Sequence, residues 1–360
     1  MKFLLLLLAA AALAQEGRAQ EASIEQAIRM ASEGRLPEAE AALRTHAARN
    51  PRDADSRYRL GLVLVKRKKL DEAARAIEDA AKLEPGSVFT WLALGDVRLR
   101  LADRAAAVSA AKRAGALAGA SSAAWKALAV LEGRLGDAPG EWKALESVIR
   151  LAPGDRDAYV RLADLHIAQR SAEAARLVAE KGLVRFPSDA ELLRLKGVAL
   201  YGLGRKQEAI DAFLAAMDRA PGDEAVHASV ETLLPDAGPR LRDVAERLRR
   251  FSELRPESPL GPFLLALIAE ASADRETLLN LAIGKDAGFW PAYFEMHKTM
   301  REAGKRTMAI EALETTLRLN PNHEGAHFAL AELYLEAGDR EKAREHRMAH
   351  HRLRAASVPQ

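Results

Sequence analysis

The sequence contains no cysteine, which excludes a disulfide-stapled scaffold, a thiolate-ligated zinc site and any enzyme with a cysteine nucleophile. Aromatic residues are scarce, 5% of the chain beside 49% hydrophobic residues. That scarcity weighs against a sugar-binding surface, which stacks Trp or Tyr on sugar faces, and leaves a polysaccharide binder in envelope export as an alternative. Neither charge sign predominates, with 54 Lys and Arg against 51 Asp and Glu and a net charge of +3. The excess reads as slight and scattered, whereas phosphate-backbone binding gathers basic residues on one face. A nucleic-acid partner is therefore not expected. A phosphate-cradling Gly-Lys-Ser/Thr loop and a Gly-x-Ser-x-Gly elbow are both missing. What is present, 29% charged residues on an alanine-rich apolar background, is too hydrophobic for a disordered chain and fits a mostly helical one. The length of 360 residues would by itself suggest two or three domains of ordinary size.

Long apolar runs are also missing, with one exception. Lys2 precedes an apolar stretch from Phe3 to Ala14, and polar residues follow at Gln15, Glu16 and Arg18. This is the three-part layout of a secretory signal peptide. Ala12-Leu13-Ala14 supplies the small-residue cleavage site, so residues 1–14 are expected to be removed; a looser site would cut after Ala19. The stretch falls short of the ~20 apolar residues that span a bilayer. The expectation is an exported mature chain, periplasmic or extracellular, without stable membrane insertion.

Self-similarity dominates the remainder. Prolines stand at 51, 85, 153, 187 and 221, separated by 34 residues or twice that, and Gly119 fills the missing beat. The same pattern precedes each. Residues 54–87 place Leu60-Gly61 in the first half and Ala73, Ile77 and Ala80 in the second. Residues 88–121 place Trp91, Leu94-Gly95, Ala107, Ala111 and Ala114; residues 190–223 place Gly197, Ala209, Phe213, Ala216 and Pro221; residues 290–323 place Tyr293, Ala309, Leu313 and Pro321. On these residues the chain resembles the tetratricopeptide repeat proteins, whose 34-residue unit orders W-x2-L-G-x2-Y, A-x3-F and P.

Each unit reads as a helix A, a short turn and a helix B. Small residues (Gly61, Gly95, Gly197, Ala129, Ala163) belong where helix A crosses helix B. Trp91, Trp125, Tyr159 and Tyr293 read as wedges between neighbouring repeats, and the prolines as stops after helix B. The fold expected is all-α, a right-handed solenoid of about ten antiparallel helix-turn-helix units. Six regular units occupy 20–223, two irregular Pro-rich units 224–289, and two regular units 290–357, ending in a capping helix with His346, His350 and His351 on its solvated surface. Pro235, Pro239, Pro256, Pro259 and Pro262 spoil the pattern and mark a possible bend or hinge.

One catalytic signature occurs. His323-Glu324-Gly325-Ala326-His327 matches the H-E-x-x-H of zinc peptidases, which needs both histidines on one helical face and the glutamate as base. In the repeat frame His323 falls in the inter-repeat turn, outside the helix, and the repeats leave no segment for a peptidase domain. No metal, cofactor or catalytic residue is therefore expected.

The resemblance implies a groove lined by the second, fifth, ninth and twelfth residues of each A helix, taking a peptide or helical segment of a protein partner. Its members here are Tyr58, Leu62, Leu92, Asp96, Lys126, Val160, Asp164, Arg194, Phe263, Phe294, Lys298 and Phe328. Phe263, Phe294 and Phe328 would form an aromatic patch. The family's carboxylate clamp, Lys and Asn at fifth and ninth positions of adjacent units, is not present. A role as a non-enzymatic scaffold in the cell envelope follows from the resemblance together with the signal peptide.

Overall fold

A computed structural model describes residues 24–357, and all regular secondary structure among the described residues is helical. The signal-peptide segment lies outside the described residues. Two compact units divide the chain, Met1–Leu165 and His166–Gln360.

In the first unit the helices are α1 (24–32), α2 (Leu36–Arg49), α3 (Ala54–Lys66), α4 (Leu70–Leu83), α5 (Val88–Arg100), α6 (Arg104–Leu117), α7 (Ser122–Leu135), α8 (Ala138–Leu151) and the start of α9 (Arg156–Ala168). Odd-numbered helices are the A helices. α3, α5 and α7 each pack on the B helix that follows, and α3 and α5 also on the next A helix. No Cβ fits at Gly61, where it would lie 2.3 Å from the Ile77 side chain, or at Gly95, where it would lie 2.7 Å from Leu131. The missing side chain at the eighth position thus lets helix A close on its own helix B at Gly61 and on the next A helix at Gly95.

Turns repeat as faithfully as the core. Between A and B helices one residue adopts a left-handed backbone at positions 34, 68, 102 and 136 in this unit, and at 170, 204, 304 and 338 in the second. Glycine fills five of these, but Lys68, Ala102 and Arg170 carry side chains at φ of 60°, 60° and 55°, a conformation that costs an L-residue about 1–2 kcal/mol. At the junction after helix B, an Asp or Ser caps the next A helix: Ser121 Oγ accepts from the Ala124 N–H (3.1 Å) and Asp155 Oδ1 from that of Ala158 (3.3 Å), satisfying donors that the helix start would orphan.

The wedge residues do more than fill space. Trp91 Nε1–H donates to the Pro85 carbonyl (2.9 Å), Trp125 Nε1–H to that of Gly119 (3.0 Å) and Tyr159 Oη–H to that of Pro153 (3.2 Å). Each ring pins the carbonyl six residues back, in the turn that separates its repeat from the preceding one.

The second unit contains α10 (Ala172–Arg185), α11 (Ala190–Gly202), α12 (Lys206–Arg219), α13 (Glu224–Ala228), α14 (Leu241–Leu254), α15 (Leu260–Leu267), α16 (Ser272–Lys285), α17 (Trp290–Glu302), α18 (Arg306–Leu319), α19 (Glu324–Glu336) and α20 (Arg340–Ser357). Regular hairpins α11–α12, α17–α18 and α19–α20 flank the Pro-rich stretch. There the A helix shrinks to the five residues of α13, followed by 3-10 turns at Glu231–Asp236 and Gly238–Arg240, and α15 is only eight residues long. Pro235 removes an N–H and would clash with a carbonyl one turn back, so an α-helix cannot run through it. The side chains nevertheless stay inside: Val226, Val230, Leu233, Leu234 and Ala237 share a core with Phe213 and Val244. The division between the two units falls at Leu165 and His166, and the Pro-rich stretch is part of a packed core rather than an exposed joint.

Candidate functional site

In the first unit the expected groove residues occupy different depths. Leu62 is 38% exposed and Tyr58 half-buried. Leu92 is buried, only 7% exposed, because the fifth position of α5 turns into the core, and it is not available to a partner. Asp96 is held by Arg100 (2.8 Å) and by Arg134 from α7. Lys126 is exposed and reaches Asp155 (2.8 Å), Val160 is half-buried, and Asp164 lies exposed 3.8 Å from Arg161.

Between α7 and α9 the groove deepens into a cleft of about 450 Å³. Its floor is apolar, from Ala129, Val130, Leu145 and Ala158, and Lys126, Arg134 and Arg161 stand around it. Val130 is 62% exposed on that floor. The cleft exists because Gly133 takes the twelfth position of helix A. A Cβ there would meet the Glu141 carboxylate at 2.9 Å. Glu141 rises from α8, is 4% exposed and accepts from Arg161 Nε–H at 2.5 Å. That hydrogen bond raises the Arg161 guanidinium above its ordinary range, and the ion pair sits at the cleft wall. Gly133, Glu141 and Arg161 were not among the residues expected from the sequence. An isolated glycine at a groove position was the signal for the first; the carboxylate beneath it belongs to a helix that the groove rule does not include.

The second unit splits the expected aromatic patch. Phe263 is buried at 2% exposure, edge-on to Phe289 with ring centres 5.3 Å apart, because the short α15 sinks into the core. It is not a surface residue. Phe294 is half-buried against His323 (4.3 Å), with Lys298 Nζ 5.2 Å from its ring centre, and Phe328 is 54% exposed beside His350 (5.4 Å). Arg194 is half-buried and bonded twice to Glu191, at 2.9 and 2.7 Å.

The H-E-x-x-H sequence assumes a different geometry from a zinc site. His323 is the N-cap of α19, and its Nδ1 accepts from the Ala326 N–H at 2.9 Å. His327 lies in the helix, its Nε2 3.1 Å from the Pro321 carbonyl and its Nδ1 3.0 Å from Nδ1 of His346. The first histidine is committed to capping. The second repeats the pin made by Trp91 and Tyr159. Among the described residues no group of three or more His, Asp or Glu is placed to hold a metal ion.

Comparison with known families decides what the repeats are. One tetratricopeptide repeat model matches residues 24–88, 143–189 and 157–224, and a second matches 300–346. The chain belongs to the tetratricopeptide repeat family. No curated protein matches it. Among solved structures it is similar to MamA, with 23% identity over 46% of this chain and 91% of that one and a TM-score of 0.40. It is also similar to yeast Tom70, with 12% identity over 95% and 96% and a TM-score of 0.48. A third is YrrB, described as a TPR protein with an unusual peptide-binding site, with 20% identity over 52% and 98% and a TM-score of 0.38. Tetratricopeptide repeats serve generally as non-catalytic scaffolds for protein interaction, and this chain carries such a protein-interaction scaffold. Among its described residues no helix is long and apolar enough to cross a membrane.

Proposed function

We propose that this tetratricopeptide repeat protein is not an enzyme and that it holds a peptide or helical segment of a protein partner along its A helices, with the α7–α9 cleft receiving one apolar side chain of that segment. The observation that carries this reading is the cleft itself: an apolar floor with a largely exposed Val130, ringed by charges that are already paired. Paired charges can hydrogen-bond a peptide backbone without demanding a charged ligand, and the floor rewards an aliphatic side chain by roughly 25 cal/mol per Å² buried. Nucleic acid and bilayer play no part in this reading.

A photo-crosslinking amino acid at position 130, introduced in the native host, is expected to yield one dominant protein adduct. The same group at Val184, 80% exposed on a B helix, should not. Equal labelling from both positions, or none from position 130, would sink the proposal. The N-terminal layout of Lys2, the apolar residues 3–14 and Ala12-Leu13-Ala14 supports an exported scaffold in the cell envelope. Intact-mass measurement of the protein recovered from cells tests this: a chain beginning at Gln15 or Gln20 is expected, and one beginning at Met1 would count against export.

A further inference from the structure

The charge of the chain is not scattered. Helix α20 alone carries six Lys or Arg against two Glu, more than the entire +3 excess of the chain. Which way these charges point is set by packing. Ala343, His346, His350 and Leu353 face α19: Ala343 is 4% exposed, His346 meets His327 and stacks on Tyr334, and His350 Nδ1 lies 3.6 Å from a Glu324 carboxylate oxygen. On one flank of that packed face, centred about 100° around the helix from it, Arg340, Arg344, Arg347, His351 and Arg354 are all exposed. Their spacing of i, i+4, i+7, i+11 and i+14 puts them within an arc of roughly 80° on a helix of 3.6 residues per turn, one straight stripe about 21 Å long at 1.5 Å per residue. Arg347 lies 3.6 Å from Glu332. Among the described residues Arg340 and Arg344 have no acidic side chain within ion-pair distance.

We infer that this stripe docks an acidic helical segment of a partner protein, one whose carboxylates recur every three to four residues. Three features select that occupant. The stripe follows the spacing at which side chains of one helix face those of another, where charged pairs set partner choice and orientation. A lipid surface would need apolar side chains on the same outward face, but the helix spends Ala343 and Leu353 on α19, and Met348 is the large apolar side chain left outside. A row of nucleic-acid phosphates would also face Glu341 and Glu345, which are exposed about 100° and 140° around the helix from the stripe's centre, on the side away from α19, and which repel it. A helical partner accommodates them with a Lys or Arg on one flank. This surface is separate from the α7–α9 cleft and stands whether or not that cleft binds a peptide.

The test uses the full chain and a labelled 21-residue helical peptide with Glu at i, i+4, i+7, i+11 and i+14 and Lys on one flank, measured by fluorescence anisotropy at 0.15 M salt. Saturable binding is expected, weakened about tenfold by Arg344→Glu with Arg347→Glu and recovered when the peptide's Glu residues are exchanged for Lys. Far-UV circular dichroism of the variant should match the parent; if it does not, Arg344→Gln with Arg347→Gln replaces it, with the same loss expected. Equal affinity for a permuted peptide of identical composition overturns the inference, as does no binding. Tighter binding of oligo-dT or of phosphatidylglycerol vesicles than of the registered peptide also overturns it, and assigns the stripe to that surface instead.

Discussion

Two successive repeats of the second unit, α11–α12 and α13–α14, have similar B helices and very different A helices. In α11 the eighth position is Gly197, whose missing Cβ leaves room for the Phe213 ring that would otherwise lie 2.7 Å away. The equivalent residue 34 positions on is Glu231, which is exposed, and α13 has already ended at Ala228. A glutamate cannot enter the space that glycine vacates, and Pro235 four residues later forbids the helix from resuming. The chain answers by changing backbone rather than core. In 3-10 geometry it still delivers Val230, Leu233, Leu234 and Ala237 to the interior. Across this pair a small residue at position eight accompanies a full-length helix A, while apolar side chains at the flanking positions keep the repeat packed. His297 shows the limit of the first rule: α17 continues past it because the ring turns back to bond the Phe294 carbonyl.

The strongest way to break this comparison is to attack both cores. Phe251→Ala, which removes a fully buried ring stacked on His227 at 4.3 Å, should cost about 3–5 kcal/mol, as should Phe213→Ala in the regular repeat. Urea midpoints would show it, and a cost at Phe251 below half that at Phe213 would mean the irregular repeat is slack. Next comes position eight itself. Gly197→Ala should destabilise by about 1–3 kcal/mol from overpacking, less the ~1 kcal/mol that alanine gains over glycine in a helix, whereas Glu231→Ala should stay within about 0.5 kcal/mol.

Acid sharpens the comparison further. His227 is buried, its Nδ1–H bonded to the Asp223 carbonyl (2.7 Å), and burial holds its pKa below the ordinary 6.5. Burial likewise lowers His297, His323 and His346. Each takes up its proton more readily unfolded than folded, so stability is complete above about pH 6.5 and falls as the pH drops from there toward the depressed folded values. His227→Phe should flatten part of that loss in urea midpoints measured between pH 7 and pH 5. An unchanged slope would show that the acid response lies elsewhere. The smallest effects belong to the left-handed turns. Gly136→Ala should cost about 1 kcal/mol, while Ala102→Gly at the equivalent turn should be neutral or stabilising by up to about 1 kcal/mol, backbone relief outweighing the added freedom of the unfolded chain. Thermal midpoints of the pair check it.

Much of this architecture was legible in the residues, because a 34-residue period forces equal chemistry onto equal positions. Gly61 and Gly197 announced close helix crossings, and the prolines announced the junctions. Depth was harder to read. Leu92 and Phe263 hold the same nominal groove position as Phe328, yet a position on a helix gives direction only, and burial depends on how far the neighbouring helices close over it. The α7–α9 cleft needed Gly133 and Glu141 together, residues of two helices whose meeting no single-helix pattern encodes. The stripe on α20 was hidden by arithmetic, since a whole-chain charge near neutrality averages away one strongly basic helix.

The rings that pin each junction have a practical consequence. Trp91 and Trp125 each donate their indole N–H to the turn ahead of their own repeat, so each is an intrinsic fluorophore reporting on one junction. Replacing Trp142, Trp290 and one of this pair by Phe leaves the remaining tryptophan to be watched alone. The order in which neighbouring junctions of the first unit let go under denaturant could then be followed optically, without any attached dye.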